Sequence, residues 1–376
     1  MKSIGVALIG TGFMGKTHAV AFNAVKAVFG DVPRPDLRVL CDVDPERTRA
    51  QAEEFGFTRW TTDWKSAVED PDVGLVSITT PNHLHRPMAI AALEAGKHVY
   101  CEKPMAVLLP DAEAMAEVAR KTTDSVTLLG YAFAKNPAVF MAKRLIDEGL
   151  LGEIFDFRGF IDEDYAADPE LPWTWRLKKE NAGLGTLGDL TCHLVSIAHF
   201  LLGPITHVLG MLKTVHQTRP ERLGATQRLA VENDDLAHGL VRFKRGTVGV
   251  LASSRIAHGR KNGIRVEVHG SKGTLAFDHE RMNELELYLA EDRKEIVGFR
   301  RILTGPQHPP YGLFCLAPGH SLGFNDLKII EVAHLLNAIT GKEKPFPSFE
   351  DGLAIERVLH AFPTSAQNGQ WVQLPA

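Results

Sequence analysis

Three groups of residues in this chain have the types and spacing that dehydrogenase chemistry needs. Glu102-Lys103-Pro104 supplies a lysine, and Asp189 and His193 supply an acid and an imidazole four residues apart. Four-residue spacing places two side chains on one face of a helix. Near the start of the chain, Gly10-Thr11-Gly12-Phe13-Met14-Gly15 has the spacing of a dinucleotide-binding turn. Together they predict an enzyme in which a nicotinamide takes hydride and side chains take the proton.

The glycine turn follows an apolar run, Ile4–Ile9, and opens a predicted helix. Gly10 permits the tight turn, Gly12 lets the backbone approach a pyrophosphate, and Gly15 lets the helix pack on the sheet. The free N–H groups of the first helical turn favour phosphate. A tight turn without a ligand is the alternative. The predicted cofactor-binding residues of this turn are Gly10, Gly12, Phe13, Met14 and Gly15.

Asp42 follows the second predicted strand, Leu37–Cys41. In a dinucleotide-binding fold an acid at this place hydrogen-bonds the adenosine ribose and repels a 2′-phosphate, which predicts NAD rather than NADP. Its distance from Gly15 exceeds the usual spacing of roughly 20 residues, and a polar insert at 30–36 accounts for the excess. Arg47 would weaken the discrimination. The alternative role for Asp42 is the N-cap of the next helix.

Polar residues follow the third predicted strand, Val73–Thr79, at its carboxyl end, where ligands bind in doubly wound folds. Thr80, Asn82 and His85 are predicted to line the nicotinamide half of the cofactor site. Capping of the following helix is the alternative for these residues, and Asn82 is the leading candidate for it.

Glu102 and Lys103 follow the fourth predicted strand, His98–Cys101, and are predicted to lie at the same edge of the sheet and to contribute to cofactor binding. Pro104 disfavours helical dihedrals at Lys103, which directs this side chain towards the cleft. A partly desolvated lysine near a cationic nicotinamide has a lowered pKa, which suits acid–base work or orientation of a hydroxyl. A solvated surface lysine is the alternative.

The hydrophobic pattern predicts an α/β protein with two domains. The first third alternates strands with helices, which predicts a parallel, doubly wound Rossmann sheet in an NAD-binding domain at 1–130. Beyond Tyr131 a series of strands from Ile154 to Leu289 predicts a large, mostly antiparallel, open sheet. That sheet belongs to a substrate-binding and oligomerisation α/β domain at 131–376, which ends with helices at Phe324–Ile339 and Phe349–Ala361.

Composition narrows the class of protein. The 376 residues include 42 Lys and Arg and 46 Asp and Glu, a net charge of −4, which argues against a dedicated nucleic-acid binder. No apolar run approaches the roughly 20 residues of a membrane helix, and no signal-peptide pattern is visible. The four cysteines match no zinc motif, so we expect no metal site and a reducing cytoplasm.

Several motifs, in this order, resemble the glucose–fructose oxidoreductase/inositol dehydrogenase family, often written Gfo/Idh/MocA. The matching stretches cover nearly the whole chain and are Ile9–Gly15 with Lys16 and His18, Thr80-Pro81-Asn82 with His85, Glu102-Lys103-Pro104, and Gly188-Asp189 with His193. The resemblance implies a Rossmann domain, an α/β domain whose open sheet often makes oligomer contacts, and NAD(P)-linked oxidation of sugars or cyclitols. It assigns the catalytic lysine role to Lys103, substrate binding to Asp189 and the acid/base role to His193.

Departures from the family pattern concern the substrate. Ser196 stands where an acid is often found, and Lys135 stands in for an arginine after the fifth predicted strand, Val126–Leu129. Trp173-Thr174-Trp175-Arg176 resembles the subgroup that includes levoglucosan dehydrogenase and the scyllo-inositol dehydrogenases that also take L-glucose. Arg176 and Tyr165 are further predicted substrate-binding residues, while core or interface packing is the alternative for both tryptophans.

We therefore predict an NAD-dependent dehydrogenase that oxidises a secondary hydroxyl of a cyclic polyol, an inositol such as scyllo-inositol or a pyranose such as L-glucose, in a homodimer or homotetramer. His193 takes the hydroxyl proton, Lys103 positions the hydroxyl, and Asp189 holds a neighbouring hydroxyl. The alternatives are a levoglucosan-type anhydrosugar dehydrogenase, an NAD-dependent glycosidase that oxidises its sugar transiently, and a non-catalytic NAD-binding sensor.

Overall fold

The computed structural model describes residues 1–375, which form two compact units. The first unit contains Met1–Lys135 and Gly323–Leu353, and the second contains Asn136–Leu322 and the chain from Ala354 onward. The sequence prediction assigned all residues after 130 to the second domain, so the assignment of 323–353 is corrected. The reason is tertiary: the helix at Phe324–Ile339 packs along the helix at Phe13–Val28, and an apolar helix pattern does not reveal its partner.

Both predicted helices at the end of the chain are present, and the second continues beyond its predicted end. The α-helices of the described residues are α1 (Phe13–Val28), α2 (Pro45–Phe55), α3 (Trp64–Glu69), α4 (His85–Glu94), α5 (Leu109–Lys121), α6 (Pro137–Asp147), α7 (Lys179–Ala182), α8 (Cys192–Leu202), α9 (Tyr311–Phe314), α10 (Phe324–Ile339) and α11 (Phe349–Asn368). A capping box begins α11, because the Ser348 N–H donates to Asp351 Oδ2 and the Asp351 N–H donates to Ser348 Oγ.

The first unit contains a six-stranded sheet whose strand pairs are all parallel. Its strands are β1 (Ser3–Ile9), β2 (Arg34–Cys41), β3 (Arg59–Thr61), β4 (Leu75–Ile78), β5 (His98–Cys101) and β6 (Thr127–Leu129), in the order β3-β2-β1-β4-β5-β6. This confirms the doubly wound sheet. The sequence prediction missed β3, because a three-residue strand with mostly exposed side chains has no apolar run.

The order of this sheet reverses direction between β1 and β4, which places the crevice for a ligand at their carboxyl ends. The glycine turn follows β1, and Thr79 and Thr80 follow β4. The two segments are in contact there, since the Thr79 hydroxyl donates to the carbonyl of Gly10 at 2.9 Å.

The second unit contains a nine-stranded sheet in which only the pairing of β7 with β12 is parallel among the described residues. The strands of this unit are β7 (Ile154–Glu163), β8 (Ile205–Lys213), β9 (Thr218–Pro220), β10 (Arg228–Ala230), β11 (Leu236–Phe243), β12 (Val248–Ser254), β13 (Lys261–Gly270), β14 (Gly273–Asp278), β15 (Glu284–Leu289), β16 (Arg300–Leu303) and β17 (Val372–Gln373). The large sheet has the order β16-β15-β14-β13-β7-β12-β11-β8-β17, and β9 pairs with β10. The predicted, mostly antiparallel sheet is confirmed.

Helices cover one face of the nine-stranded sheet. Helix α8 packs on β7, α6 packs on β14 and β15, and Phe362 of α11 lies against Gly210 and Gly239. Strand side chains on this face are buried, as at Phe157 and Leu251. Alternate residues point to the opposite face, where large apolar side chains remain exposed in the single chain: Met211, Leu240 and Val248.

Candidate active site

The glycine turn of the first unit has the geometry that its sequence predicts. Gly10 has a φ of +101°, and its N–H donates to the carbonyl of Cys41 at 2.8 Å. A Cβ at Gly10 would overlap Thr79, and one at Gly15 would overlap the Gly10 carbonyl. A Cβ at Gly12, by contrast, would meet no protein atom within 4 Å. Gly10 and Gly15 are therefore required by the fold, whereas Gly12 fits the predicted approach of a pyrophosphate.

Helix α1 begins directly at this turn and has no side-chain cap and no acid in its first turn. Phe13 is 76% exposed and stacks on Phe324 of α10, with ring centroids 6.0 Å apart, while Met14 is partly buried. A helix N-terminus without a side-chain cap retains N–H donors and a partial positive charge for phosphate.

Asp42 accepts four hydrogen bonds at the end of β2. Its Oδ2 accepts from the Thr11 N–H and hydroxyl, both at 2.7 Å, and its Oδ1 accepts from the Val43 N–H and from Arg47. Partial burial opposes ionisation, but the bonds from Thr11 prevail and hold the pKa of Asp42 below its usual value. The alternative of a helix cap is excluded, because Asp44 caps α2. The carboxylate therefore fixes the glycine turn, and a ribose hydroxyl would have to share or displace one of these donors.

His85 has a structural role that the sequence prediction did not give it. It is 1% exposed, and its two ring nitrogens lie 2.9 Å from the carbonyl of Pro104 and 3.0 Å from the carbonyl of Thr80. Burial lowers the pKa of His85. The ring therefore lies between the carbonyls of two loops, and its lining of the nicotinamide stays a prediction. Asn82 begins a 3₁₀ turn before α4, and the residue at the N-cap of that helix is Leu84.

Lys103 leaves β5 in a non-helical bend, as predicted from Pro104, and is partly buried. Its N–H donates to Oε2 of the preceding Glu102 at 3.3 Å. The Glu102 side chain itself is buried, and its Oε1 binds both His18 and Lys328. The carboxylate of Glu102 therefore belongs to the interior of the first unit, and only its backbone can contribute to cofactor binding as predicted.

In the second unit, Asp189 and His193 lie on two different kinds of helix. Asp189 is in a π-helical turn at Leu187–Thr191, and His193 is the second residue of α8. The Cys192 N–H donates to the carbonyl of Leu187, five residues earlier, as a π turn requires. The prediction of one regular helix is corrected. The wider turn arises where Asp189 is placed, and such turns often occur at functional sites.

Tyr165 donates its hydroxyl to Oδ2 of Asp189 at 2.7 Å. Desolvation and the neighbouring Asp189 carboxylate raise the pKa of Tyr165 well above its usual value, so the phenol keeps its proton. Asp162 pairs with Arg265 and Asp164 with Lys261, whereas Tyr165 is bonded to Asp189. His193 is buried, with 7% of its surface exposed.

Asp234 fixes the segment before the π turn, and sequence reasoning missed it. Its carboxylate accepts the N–H of Gly185 at 2.8 Å and of Leu187 at 2.9 Å, and its carbonyl accepts the N–H of Thr186. A Cβ at Gly185 would overlap Asp234. Burial raises the pKa of Asp234. No sequence signal identifies this residue, because an acidic residue just before a strand looks like any turn residue until the long-range contact at 185–187 is known.

The remaining candidates are placed as follows. Arg176 is exposed, and its guanidinium carbon lies 4.7 Å from the centre of the Trp175 ring, a cation–π contact. Trp173 donates from its indole to the carbonyl of Ala230, which supports a packing role for this tryptophan. Lys135, which was predicted to stand in for an arginine, is buried, and its ammonium donates to the carbonyl of Phe346 at 2.5 Å. Burial lowers its pKa to about 8.

One segment of the second unit, Lys179–Leu202, is long and apolar enough for a membrane span by length and composition alone. Seventy-eight per cent of its most apolar window is buried inside the protein, as in a core helix, so the match is weak support for a span. Within residues 1–375, no group of three or more His, Cys, Asp or Glu side chains is arranged to hold a metal ion.

Comparison with known proteins gives matches over both units. Residues 4–129 match the oxidoreductase family model with an NAD-binding Rossmann fold, and residues 139–276 match the GFO/IDH/MocA C-terminal domain. The chain is 39% identical to levoglucosan dehydrogenase of Pseudarthrobacter phenanthrenivorans, over 100% of this chain and 99% of that protein. It is 27% identical to scyllo-inositol 2-dehydrogenase (NAD(+)) of Bacillus subtilis, over 98% and 95% of the two chains.

A solved structure of levoglucosan dehydrogenase in complex with NADH and levoglucosan is also similar. It has a TM-score of 0.96 and 38% sequence identity, with both chains covered completely. These matches confirm the resemblance found in the motifs and the prediction of an enzyme that uses NAD. The chain belongs to the Gfo/Idh/MocA family of NAD-binding oxidoreductases.

Proposed function

We propose that this chain oxidises a secondary hydroxyl of a cyclic sugar or polyol to a ketone or lactone, with an anhydrosugar such as levoglucosan as the first substrate class. The observation that carries the proposal is the hydrogen bond that Tyr165 donates to Asp189. Asp189 lies one turn before the buried His193. A carboxylate that accepts hydrogen bonds and a phenol that keeps its proton are suited to bind adjacent hydroxyls of a substrate. The chain is 39% identical to levoglucosan dehydrogenase and 27% identical to scyllo-inositol 2-dehydrogenase, which favours an anhydrosugar over an inositol as the substrate.

The first unit fits the predicted cofactor. Gly12 leaves room beside the start of α1, and Asp42 brings a carboxylate to the end of β2. NAD, when bound, supplies the oxidising chemistry as an acceptor of one hydride. The residues of this unit that would hold it are the predicted set Gly10, Gly12, Phe13, Met14, Gly15, Asp42, Thr80, Asn82, His85, Glu102 and Lys103, with the contribution of Glu102 limited to its backbone.

The proposed roles divide the work of the reaction. The substrate carbon loses a hydride and its hydroxyl loses a proton, and His193 accepts that proton. Lys103 orients the hydroxyl through an ammonium hydrogen bond. Asp189, oriented by Tyr165, accepts from a neighbouring hydroxyl and fixes the ring. Arg176, whose exposed guanidinium lies over the Trp175 ring, is proposed to bind further hydroxyls of the substrate.

A substrate screen tests the proposal. NADH formation is followed by its absorbance with levoglucosan, scyllo-inositol, myo-inositol, L-glucose and D-glucose as substrates. We expect the highest kcat/KM for levoglucosan. A chain that reduces NAD with none of these compounds while binding NADH would contradict the proposal. Cleavage of aryl glycosides without net NADH would establish the glycosidase alternative instead.

We further propose that the enzyme is a homodimer or homotetramer that associates through the open face of the nine-stranded sheet. Met211, Leu240 and Val248 are 63%, 46% and 51% exposed on that face, and a symmetric interface would bury them. Light scattering should give a multiple of the mass of one chain. Leu240→Arg should lower the mass to that of one chain, whereas Leu316→Arg, at an exposed apolar residue outside the sheet, should not.

We also propose that the enzyme works in the cytoplasm. All four cysteines carry free thiols, and Cys41, Cys101 and Cys192 are buried, which suits a reducing compartment. Fractionation of the source cells with an antibody against the chain tests this proposal, and recovery outside the cytoplasmic fraction would contradict it.

A further inference from the structure

Six side chains in the first unit form a buried polar cluster, called here the Glu102 cluster. Its members are His18, Ser77, Tyr100, Glu102, Lys328 and Glu331. They come from α1, β4, the end of β5 and α10. Charged groups are rarely buried without a partner because removal from water is costly. Apolar packing alone therefore does not explain why these charged groups are buried together.

The hydrogen bonds of the Glu102 cluster define its protonation. The Lys328 ammonium lies 2.5 Å from Glu102 Oε1, 2.8 Å from Glu331 Oε2 and 3.2 Å from the Tyr100 hydroxyl oxygen. Three acceptors use all three N–H groups, so Lys328 is charged. The Tyr100 hydroxyl is then left to donate to Glu331. Lys328 thus connects two carboxylates that would otherwise repel each other.

His18 completes the cluster on its other side. Its Nε2 lies 2.8 Å from Glu102 Oε1, and its Nδ1 lies 2.8 Å from the Ser77 hydroxyl. A neutral ring with the proton on Nε2 satisfies both contacts, because Nδ1 then accepts from Ser77. The ring also stacks on Tyr100 with centroids 4.3 Å apart. Glu102 Oε1 therefore receives two donors whose positions are fixed by packing.

The other oxygen of Glu102 acts on the backbone of Lys103. Oε2 accepts the Lys103 N–H at 3.3 Å. A Cβ at Gly130 would overlap the same carboxylate, so the side chain has little freedom to move towards β6. On the far side of Lys103, the carbonyl of Pro104 is held by the buried His85. The backbone of Lys103 is anchored from both sides by buried polar groups.

We propose that Lys328 is a positioning residue for Lys103: its ammonium fixes the Glu102 carboxylate, and that carboxylate sets the direction in which the Lys103 side chain leaves β5. The inference rests on the proposed role of Lys103 in the reaction. Lys328 touches neither cofactor nor substrate in this scheme. Lys328 lies in α10, far beyond Lys103 along the chain. In this scheme catalysis therefore requires that residues 323–353 belong to the first unit.

The test compares Lys328→Met with wild type, using kcat per NADH-binding site. Sites are counted by fluorescence titration with NADH, so unfolded molecules are left out of the rate. We expect kcat per site to fall at least about tenfold, since small misplacement of a catalytic group is costly. The Kd for NADH should change less than about threefold. Lys121→Met, at a lysine on the surface of α5, is the matched control and should leave both values unchanged.

A purely structural role would lower the number of binding sites and leave kcat per site at the wild-type value, and that result would overturn the proposal. If Lys328→Met yields no binding sites, the same criterion applies to Lys328→Met with Glu102→Gln, which removes one positive and one negative charge together. Wild-type kcat per site in that double variant would also overturn it. Lys103→Ala separates the two hypotheses: full activity there contradicts the proposed role of Lys103, whereas loss there with a fully active Lys328→Met contradicts only the positioning role.

Discussion

The side chains proposed to take part in the reaction are held by different physical means in the two units. In the first unit, a buried set of charges fixes the residue before Lys103: Lys328 lies between the carboxylates of Glu102 and Glu331. In the second unit, backbone hydrogen bonds to a single carboxylate, that of Asp234, fix the turn before Asp189. The first arrangement depends on the balance between the Lys328 charge and the two carboxylates. The second depends on backbone N–H groups that point at the Asp234 carboxylate.

The two units should therefore respond differently to pH and to substitution. A charge network is disrupted by any event that adds or removes a proton, so its stability varies with pH. A carboxylate that caps backbone N–H groups is disrupted mainly by loss of the acceptor, because buried donors then lack partners.

The largest effect is expected for His193→Ala, which removes the proposed base. Loss of a positioned proton acceptor lowers kcat by about 10²–10⁴-fold, and the Kd for NADH should remain nearly unchanged because the proposed role of His193 is toward the substrate. The rise of the wild-type oxidation rate with pH should disappear in the variant. His258→Ala, at an exposed histidine of the same unit, is the control. Retention of more than about half of the wild-type kcat would assign His193 a structural role.

The charge network predicts acid sensitivity in the first unit. Burial lowers the pKa of His18 to about 4, whereas an unfolded chain binds a proton there near pH 6.5. Between pH 6.5 and 4 the unfolded state therefore binds more protons, so stability falls as pH falls through this window. The total loss from this residue is about 3 kcal/mol.

Hydrogen exchange of peptides that cover β4 and β5, measured from about pH 7 to about pH 4 with the intrinsic exchange rate removed, checks this prediction. Wild-type protection should decrease towards low pH, and His18→Gln should show a smaller decrease. His258→Gln controls for loss of a histidine that is exposed. An identical pH dependence in wild type and His18→Gln would place the acid sensitivity outside the Glu102 cluster and break the contrast between the units.

For the second unit, Asp234→Ala should cost about 1–3 kcal/mol of stability for the unpaired donors that it leaves. The N–H groups of Gly185 and Leu187 lose their acceptor. The thermal unfolding temperature and kcat should both decrease, and NADH binding should be retained. Asp147→Ala, whose carboxylate pairs with Lys143 on the surface of α6, should change stability by less than about 1 kcal/mol. Equal effects of the two substitutions would contradict the capping role of Asp234.

The smallest effect concerns the choice of cofactor. We predict that wild type prefers NAD to NADP by at least about tenfold in kcat/KM, because one repelled phosphate or lost hydrogen bond is worth roughly 1.4 kcal/mol. Asp42→Ala should reduce this ratio, and it should also weaken NAD binding because Thr11 loses its acceptor. Arg47→Ala, which leaves the carboxylate in place, is expected to raise the ratio. Equal use of both cofactors by wild type would contradict the role of Asp42.

Local patterns in the sequence were sufficient for much of the fold. Apolar patterns placed β5 and α10 at their observed bounds, because burial of one face dictates residue type at fixed intervals. The same reasoning identified the glycine turn, since Gly10 requires a positive φ and Gly15 a close contact. Short or exposed elements such as β3 lack such a pattern and were missed.

The sequence alone was sufficient to identify the kind of chemistry: a nucleotide turn, an acid at the end of β2, a lysine after β5 and an imidazole near Asp189. How those groups are held depends on contacts that exist only in the folded chain. Lys328 binds Glu102 and Asp234 binds Gly185, and each pair is far apart in the sequence. His85 contacts a backbone carbonyl, that of Pro104. Local composition leaves no trace of such partners, because a long-range hydrogen bond constrains position in space and not the pattern of neighbouring residues.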